Sequence, residues 1–384
     1  MKETTVRLRG HWYRGGTSKC WLFDADDVAL HATSQEEVLM LLADAFGAAD
    51  ARQLDGVGGG TSTTSKAAII TPTPEGPADL DYLFAQVGIG DPTVELGCNC
   101  GNCATAIALY AVQSGIVAPG AGTTRVRMRN VNTGATLSGT ISTPGGRVPT
   151  SGRARVPGSS APGVPVGLSF HAPWGQTTGS VLPTGSPVDE IVLGEAGLTG
   201  SMVDAGAPAV FLPADQVGID LSSMTDPLTT HLPRLIRARS AAAVQMGIRR
   251  PEDPPQNAVP KVGVVAPAGD YIATDGAKIT ADSHDMRVRM LSMLAPHPAI
   301  GLTSAVAVSL ASALPGTVVA EAARLAPLGT SASGLLRIGT PAGVITAEVT
   351  TDGSGNVSEV ALHRAARQLA IADIDVAQPV AQTA

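Results

Sequence analysis

The sequence predicts an α+β fold in which strands surround two buried helices, one in each half of the chain. Gly (44) and Pro (28) are abundant and spread rather than repeated. With the β-branched residues between them, they mark many short strands joined by tight turns. The segments Asn102–Ser114 and Thr303–Leu314 are apolar on every face, and a helix of that kind is buried all round. The length, 384 residues, suits two domains, divided here as 1–188 and 189–384 with the junction near 185–200.

Residues 5–11 alternate as a strand, and Tyr13–Cys20 reads as a Gly-rich loop. Val38, Leu41, Leu42 and Phe46 have helical spacing, with Ser34 as N-cap and Glu37 three residues later. A second Gly/Ser/Thr loop, Gly56–Lys66, feeds the strand Ala67–Ile70, and Asp81–Val87 is the next strand. The helix from Asn102 ends at Gly115, a normal C-cap residue. Thr123–Asn130, Ala135–Ser142 and Gly152–Pro157 read as strands of a mostly antiparallel sheet. The Pro/Gly-rich run Ser159–Pro165 reads as a surface loop. Beyond it, Ile191–Leu193 is a strand and Met202–Leu212 restarts β structure. Pro227–Met246 is a helix and Lys261–Ala266 a strand. Asp285–Met293 leads through Pro296-His297-Pro298 to the second apolar helix.

Composition narrows the function. Aromatic residues are only 3%, the net charge is −7 and no Lys/Arg run exists, which argues against nucleic acid and anionic membranes as partners. No stretch approaches ~18 uninterrupted apolar residues, so no membrane span is expected. The N-terminus lacks the apolar core of a signal peptide, and four unevenly placed cysteines do not form a disulfide framework. A cytoplasmic protein with reduced thiols is the expectation; a homo-oligomer is left open.

Three of the four cysteines, Cys98, Cys100 and Cys103, lie directly before and inside the first turn of the first apolar helix. The unsatisfied N–H groups there favour thiolate and can hold a carboxylate. The segment reads as a reactive sulfur beside an anion cradle. A metal site is disfavoured, because a closed thiolate site usually takes four ligands. The two Gly-rich loops are rich in N–H and hydroxyl donors, and carboxylate binding by Thr17, Ser18, Lys19, Thr64 and Ser65 is the preferred reading. Neither loop is a Walker A or dinucleotide motif.

Arg14-Gly-Gly-Thr-Ser-Lys19, Thr64-Ser-Lys66, Cys100-Gly-Asn102, Leu182-Pro-Thr-Gly185, Val203-Asp-Ala-Gly206, Arg289-Met-Leu-Ser-Met293, His297, Pro315-Gly-Thr317 and Arg364-Ala-Ala-Arg367 together resemble the PrpF family. The resemblance runs nearly the whole chain in order. It implies a diaminopimelate-epimerase-like fold, two similar domains each with a mixed or antiparallel sheet wrapped around a central helix. It also implies cofactor-independent isomerisation of an unsaturated di- or tricarboxylate such as a methylaconitate, aconitate or oxalomesaconate. The family pairs a lysine after the Thr-Ser loop with the cysteine of Cys-Gly-Asn, which here are Lys66 and Cys100. Gly101, Asn102, Cys103, Arg289, His297, Thr303 and Ser304 complete the expected substrate contacts. The family commonly has Met where this chain has Cys103, and Cys98 is an addition. True diaminopimelate epimerases carry a second cysteine before the second helix, where this chain reads Ile300-Gly-Leu-Thr-Ser304. A two-cysteine racemase or epimerase is the disfavoured alternative, and a non-catalytic carboxylate-binding protein is the third reading. Moving a double bond beside carboxylates needs a base, an acid and fixed positive dipoles, with no metal or nucleotide.

Overall fold

The computed structural model describes residues 4–96, 100–193, 197–255, 257, 259–325 and 328–378. The chain divides into two compact units, Met1–Leu168 with Arg364–Ala384, and Ser169–His363. The division falls at 168/169, where the sequence was divided at 188/189, and the C-terminal segment returns to the first unit. The return follows from pairing: Val357–Gln378 runs antiparallel to Thr4–Gly15, in register from Thr4↔Gln378 to Gly15↔Ala366.

The first unit is a mixed sheet closed on itself. Ser18–Asp24 pairs parallel with Lys66–Pro72, which pairs antiparallel with Leu80–Val87. Thr123–Asn130 joins the latter in parallel and continues to Thr136–Ser142. Ser159–His171 and Val357–Gln378 carry the sheet on to Thr4–Gly15, which pairs with Ser18–Asp24. Inside lies the helix Gly101–Gln113, buried at every residue but the last. Gly139 lets a strand approach it closely, since a Cβ there would stand 2.2 Å from that of Ala108. The helix Gln35–Phe46 covers the outside with the capping box that Ser34 and Glu37 promised, and stops at Gly47 with φ 66°.

The second unit repeats the plan. Asp189–Val192, Gly197–Ala205, Ala207–Pro213, Lys261–Pro267, Met286–Ser292, Ser333–Thr340, Gly343–Thr351 and the start of Val357–Gln378 pair in that order. The helix Leu302–Ser312 is buried along its whole length. On the sheet's other face, Leu232–Gln245 closes a second core with Met202, Val210, Leu235 and Val262. No helix among the described residues is long and apolar enough to cross a membrane.

Three local expectations change. The Gly-rich loop at 13–20 is a tight hairpin between Thr4–Gly15 and Ser18–Asp24. The run expected as a surface loop is the strand Ser159–His171, because alternating Val164, Val166, Leu168 and Phe170 bury one face, and that period outweighs the Pro/Gly content. The helix expected from Pro227 starts at Leu232 instead. Asp226 accepts from the Leu228 N–H at 3.0 Å, which holds a turn there, and Pro233 suits the helix's first turn. The expected mixed, mostly antiparallel pairing holds, with a minority of parallel pairs in both units.

Candidate functional site

The first central helix opens at Cys100, whose extended backbone (φ −126°, ψ 99°) makes it the N-cap. Its carbonyl accepts from the Ala104 N–H at 2.9 Å. No side chain caps the helix, and its first turn holds no acidic residue. No acidic side chain of the helix's own first turn compensates its positive end.

The hairpin turn lies directly on this helix start. A Cβ on Gly15 would stand 1.9 Å from the Asn102 carbonyl oxygen, and one on Gly16 (φ +53°) 2.1 Å from Asn102 Oδ1. Only glycine fits both places. Asn102 Nδ2 donates to Thr17 Oγ1 at 3.1 Å and Ser18 Oγ at 3.3 Å. Each hydroxyl accepts in that bond and keeps its own O–H to donate. Lys19 does not join them; its Nζ sits 4.7 Å from the Trp12 ring centroid, a ring stacked on Trp21.

The second loop leads into Lys66. Ser65 is fully buried and its hydroxyl donates to Gln53 Oε1 at 2.5 Å, while Thr64 Oγ1 bonds back to Thr61. Gln53 also accepts from the Gly60 N–H and donates to the Gly88 carbonyl. Ser65 and Thr64, expected as carboxylate donors, bond their hydroxyls within the loop in this structure. Lys66 opens its strand directly opposite Gln86, and cross-strand partners share a face. Lys66 Nζ donates to Gln86 Oε1 at 2.5 Å, and Gln86 Nε2 donates to the Ser65 carbonyl at 2.9 Å. That second bond fixes which end of the amide faces the lysine. Gln86 escaped the sequence reading because its only signal is its register with Lys66.

Cys100 is partly exposed, whereas Cys103 and Cys20 are buried. The thiol of Cys100 is raised well above its ordinary pKa by its hydrogen bond with Cys103 and by burial, with Lys66 pulling the other way. Burial raises Cys103 as well; its hydrogen bond with Cys100 pulls the other way, and Cys20 adds to the rise. Against the expected thiolate at the helix start, the hydrogen bond with Cys103 and burial favour the neutral thiol. Cys103 stands between two sulfurs rather than on an open face. Cys98 lies outside the described residues. Among the described residues no group of three or more His, Cys, Asp or Glu is placed to hold a metal ion.

The remaining candidates belong to the second unit. Thr303 and Ser304 occupy the first turn of Leu302–Ser312, which again has no acidic residue there. Ser304 Oγ and His297 Nε2 both approach Gly301, lying 3.5 Å and 4.0 Å from where its Cβ would be. His297 Nδ1 accepts from the Ala299 N–H at 3.0 Å. Gly206 (φ +64°) packs a hairpin turn against this helix start, its Cβ position 2.8 Å from the Thr303 carbonyl oxygen. Arg289 is buried, and Nη2 donates to the Asp226 carbonyl while Nε and Nη1 have no partner. The structure thus gathers Thr17, Ser18, Lys66, Cys100, Gly101, Asn102 and Cys103 in the first unit, and His297, Thr303 and Ser304 in the second.

The family described as PrpF protein matches residues 5–377. The chain is 33% identical to a 2-methyl-aconitate isomerase of Cupriavidus necator, over 95% of this chain and 96% of that one. It is 32% identical to a (4E)-oxalomesaconate Delta-isomerase of a Novosphingobium species, over 93% and 94% of the two chains. Among solved structures, a methylitaconate-delta-isomerase superposes with a TM-score of 0.84 at 29% identity, covering 99% of each chain.

Proposed function

The chain belongs to the PrpF family and is an isomerase, and from that premise we propose that it shifts a double bond within an unsaturated di- or tricarboxylate. The relatives' substrates, a methylaconitate and an oxalomesaconate, set the class. The observation that carries the reading is local. Lys66, held by Gln86, stands close enough to Cys100 to pull on its titration, beside a helix start without its own acid.

Cys100 keeps its proton at neutral pH, so it is the donor. Lys66 acts as the base and takes the allylic proton, and the electron pair spreads through the double bond into the adjacent carboxylate as an extended enolate. The N–H groups of the helix start and the Thr17 and Ser18 hydroxyls hold the growing charge. The Cys100 S–H then protonates the far carbon, and a proton passes from the Lys66 ammonium to the thiolate to reset the pair. Only protons move, so no electron or group carrier enters the balance. The repeated plan of the two units fits a diaminopimelate-epimerase-like design. A racemase would need a second acid/base group at the start of the second helix, and Gly301-Leu302-Thr303-Ser304 supplies neither thiol nor amine.

Proton NMR of candidate polycarboxylates in deuterated buffer tests the reading. Lys66→Met and Cys100→Ser should each lower isomerisation by about 10²–10⁴, with deuterium entering the substrate only in the active protein. Near-normal turnover in both variants would sink the mechanism.

A further inference from the structure

The Arg364-Ala-Ala-Arg367 motif, given no role by the sequence, contains a buried cation on the strand that borders the same helix start. Ala366 lies opposite Gly15, and the Ala365 carbonyl accepts from the Gly16 N–H at 2.9 Å. Cross-strand partners turn to one face, so the direction at Gly15 gives that at Ala366. Gly15 looks onto Asn102, and Tyr13, two residues earlier on the same face, meets Tyr110 edge-on and donates to Gln113. That face is therefore the one turned to the first central helix. Alternation along the strand places Arg364 on it too, one pair beyond the turn of the hairpin.

Arg364 is 6% exposed, and its Nε has no partner among the described residues. Burial alone moves its guanidinium, down to about 10, with no acidic neighbour to offset it; it stays cationic at neutral pH. A buried charge without a counter-charge is costly, and the first turn of the first central helix holds no acidic residue either.

We propose that Arg364 is a carboxylate anchor of the substrate, its planar fork taking one carboxylate at the start of the first central helix. The inference rests on the isomerase reading above and adds to it the group that supplies the fixed positive charge. It also accounts for a buried guanidinium whose Nε has no partner among the described residues.

Calorimetric titration with tricarballylate, a saturated tricarboxylate with no double bond to move, separates binding from chemistry. Arg364→Met should weaken its affinity by about 10- to 100-fold, the range for a hydrogen-bonded charge pair. The ligand-free variant should melt no lower than the wild type, since the change removes an unpaired buried charge. Arg364→Lys keeps the charge without the fork and should bind with intermediate affinity; should the Met protein fail to fold, this variant decides, and wild-type affinity in it overturns the anchor. Wild-type affinity in a folded Arg364→Met protein likewise overturns the anchor alone. A wild-type protein that binds no polycarboxylate overturns the substrate class and the anchor together.

Discussion

The proton on Cys100 is held there chiefly by Cys103. Their hydrogen bond is the largest of the raising effects, burial adds to it, and Lys66 opposes both. Removing the raising partner must lower the titration, so Cys103→Ala should move Cys100 alkylation to lower pH. Lys66→Met removes the opposing influence and should move it to higher pH. Rates of iodoacetamide labelling against pH, mapped by peptide mass, give both shifts; unmoved curves would show that the two neighbours do not set this thiol. At this scale the sequence revealed the residue types but not their partners. Lys66 and Cys100 stand in recognisable motifs, whereas Gln86 meets Lys66 only through strand register. Lys19, in the same hairpin as Thr17 and Ser18, turns to Trp12. A composition of donors says that a loop can bind an anion; it does not say which donors the loop uses on itself, as Ser65 does on Gln53.

Among the elements, the hairpin and the helix start behave as one piece. Gly15 and Gly16 touch Asn102 so closely that a methyl group would meet a backbone oxygen or a side chain already fixed by Thr17 and Ser18. Gly15→Ala should therefore cost about 1–3 kcal/mol of stability through overpacking and displace Asn102, with a fall in turnover. Gly115→Ala makes the contrast. Its φ is +82° with nothing within 4 Å, so the cost is about 1–2 kcal/mol of backbone strain with turnover intact. Urea unfolding and the NMR assay read the two effects separately; equal losses of turnover would dissociate the hairpin from the site. The two apolar helices were the clearest elements in the sequence because burial on every side leaves no amphipathic ambiguity. Ser159–His171 was obscured because its prolines and glycines are the residues of loops, and only the alternation from Val164 to Phe170 discloses a strand.

At the scale of the molecule, the first unit is made from both ends of the chain. The strand Thr4–Gly15 has its full length paired with the C-terminal strand, so the sheet around Gly101–Gln113 closes only through that pairing. Deleting residues 364–384 should open the ring and expose the amides of Thr4–Gly15, read as lost hydrogen-exchange protection across the first unit and loss of turnover. Protection retained there would show that the strand is held without its partner. The division into two halves was legible from two buried helices, but the returning strand was not, because strand pairing between residues more than 300 positions apart leaves no local mark in either segment.

The same returning strand sets an order for biosynthesis. On the ribosome, the segment 169–363 must emerge before the last strand exists, a wait of roughly 10–40 s at 5–20 residues per second. Throughout that interval Thr4–Gly15 presents an edge lacking its C-terminal partner, the kind of surface that recruits foreign strands. The half that is translated first is thus the half completed last. Its charged residues Arg7 and Arg9, later matched by Asp375 and Asp373, keep that edge soluble until its own partner arrives.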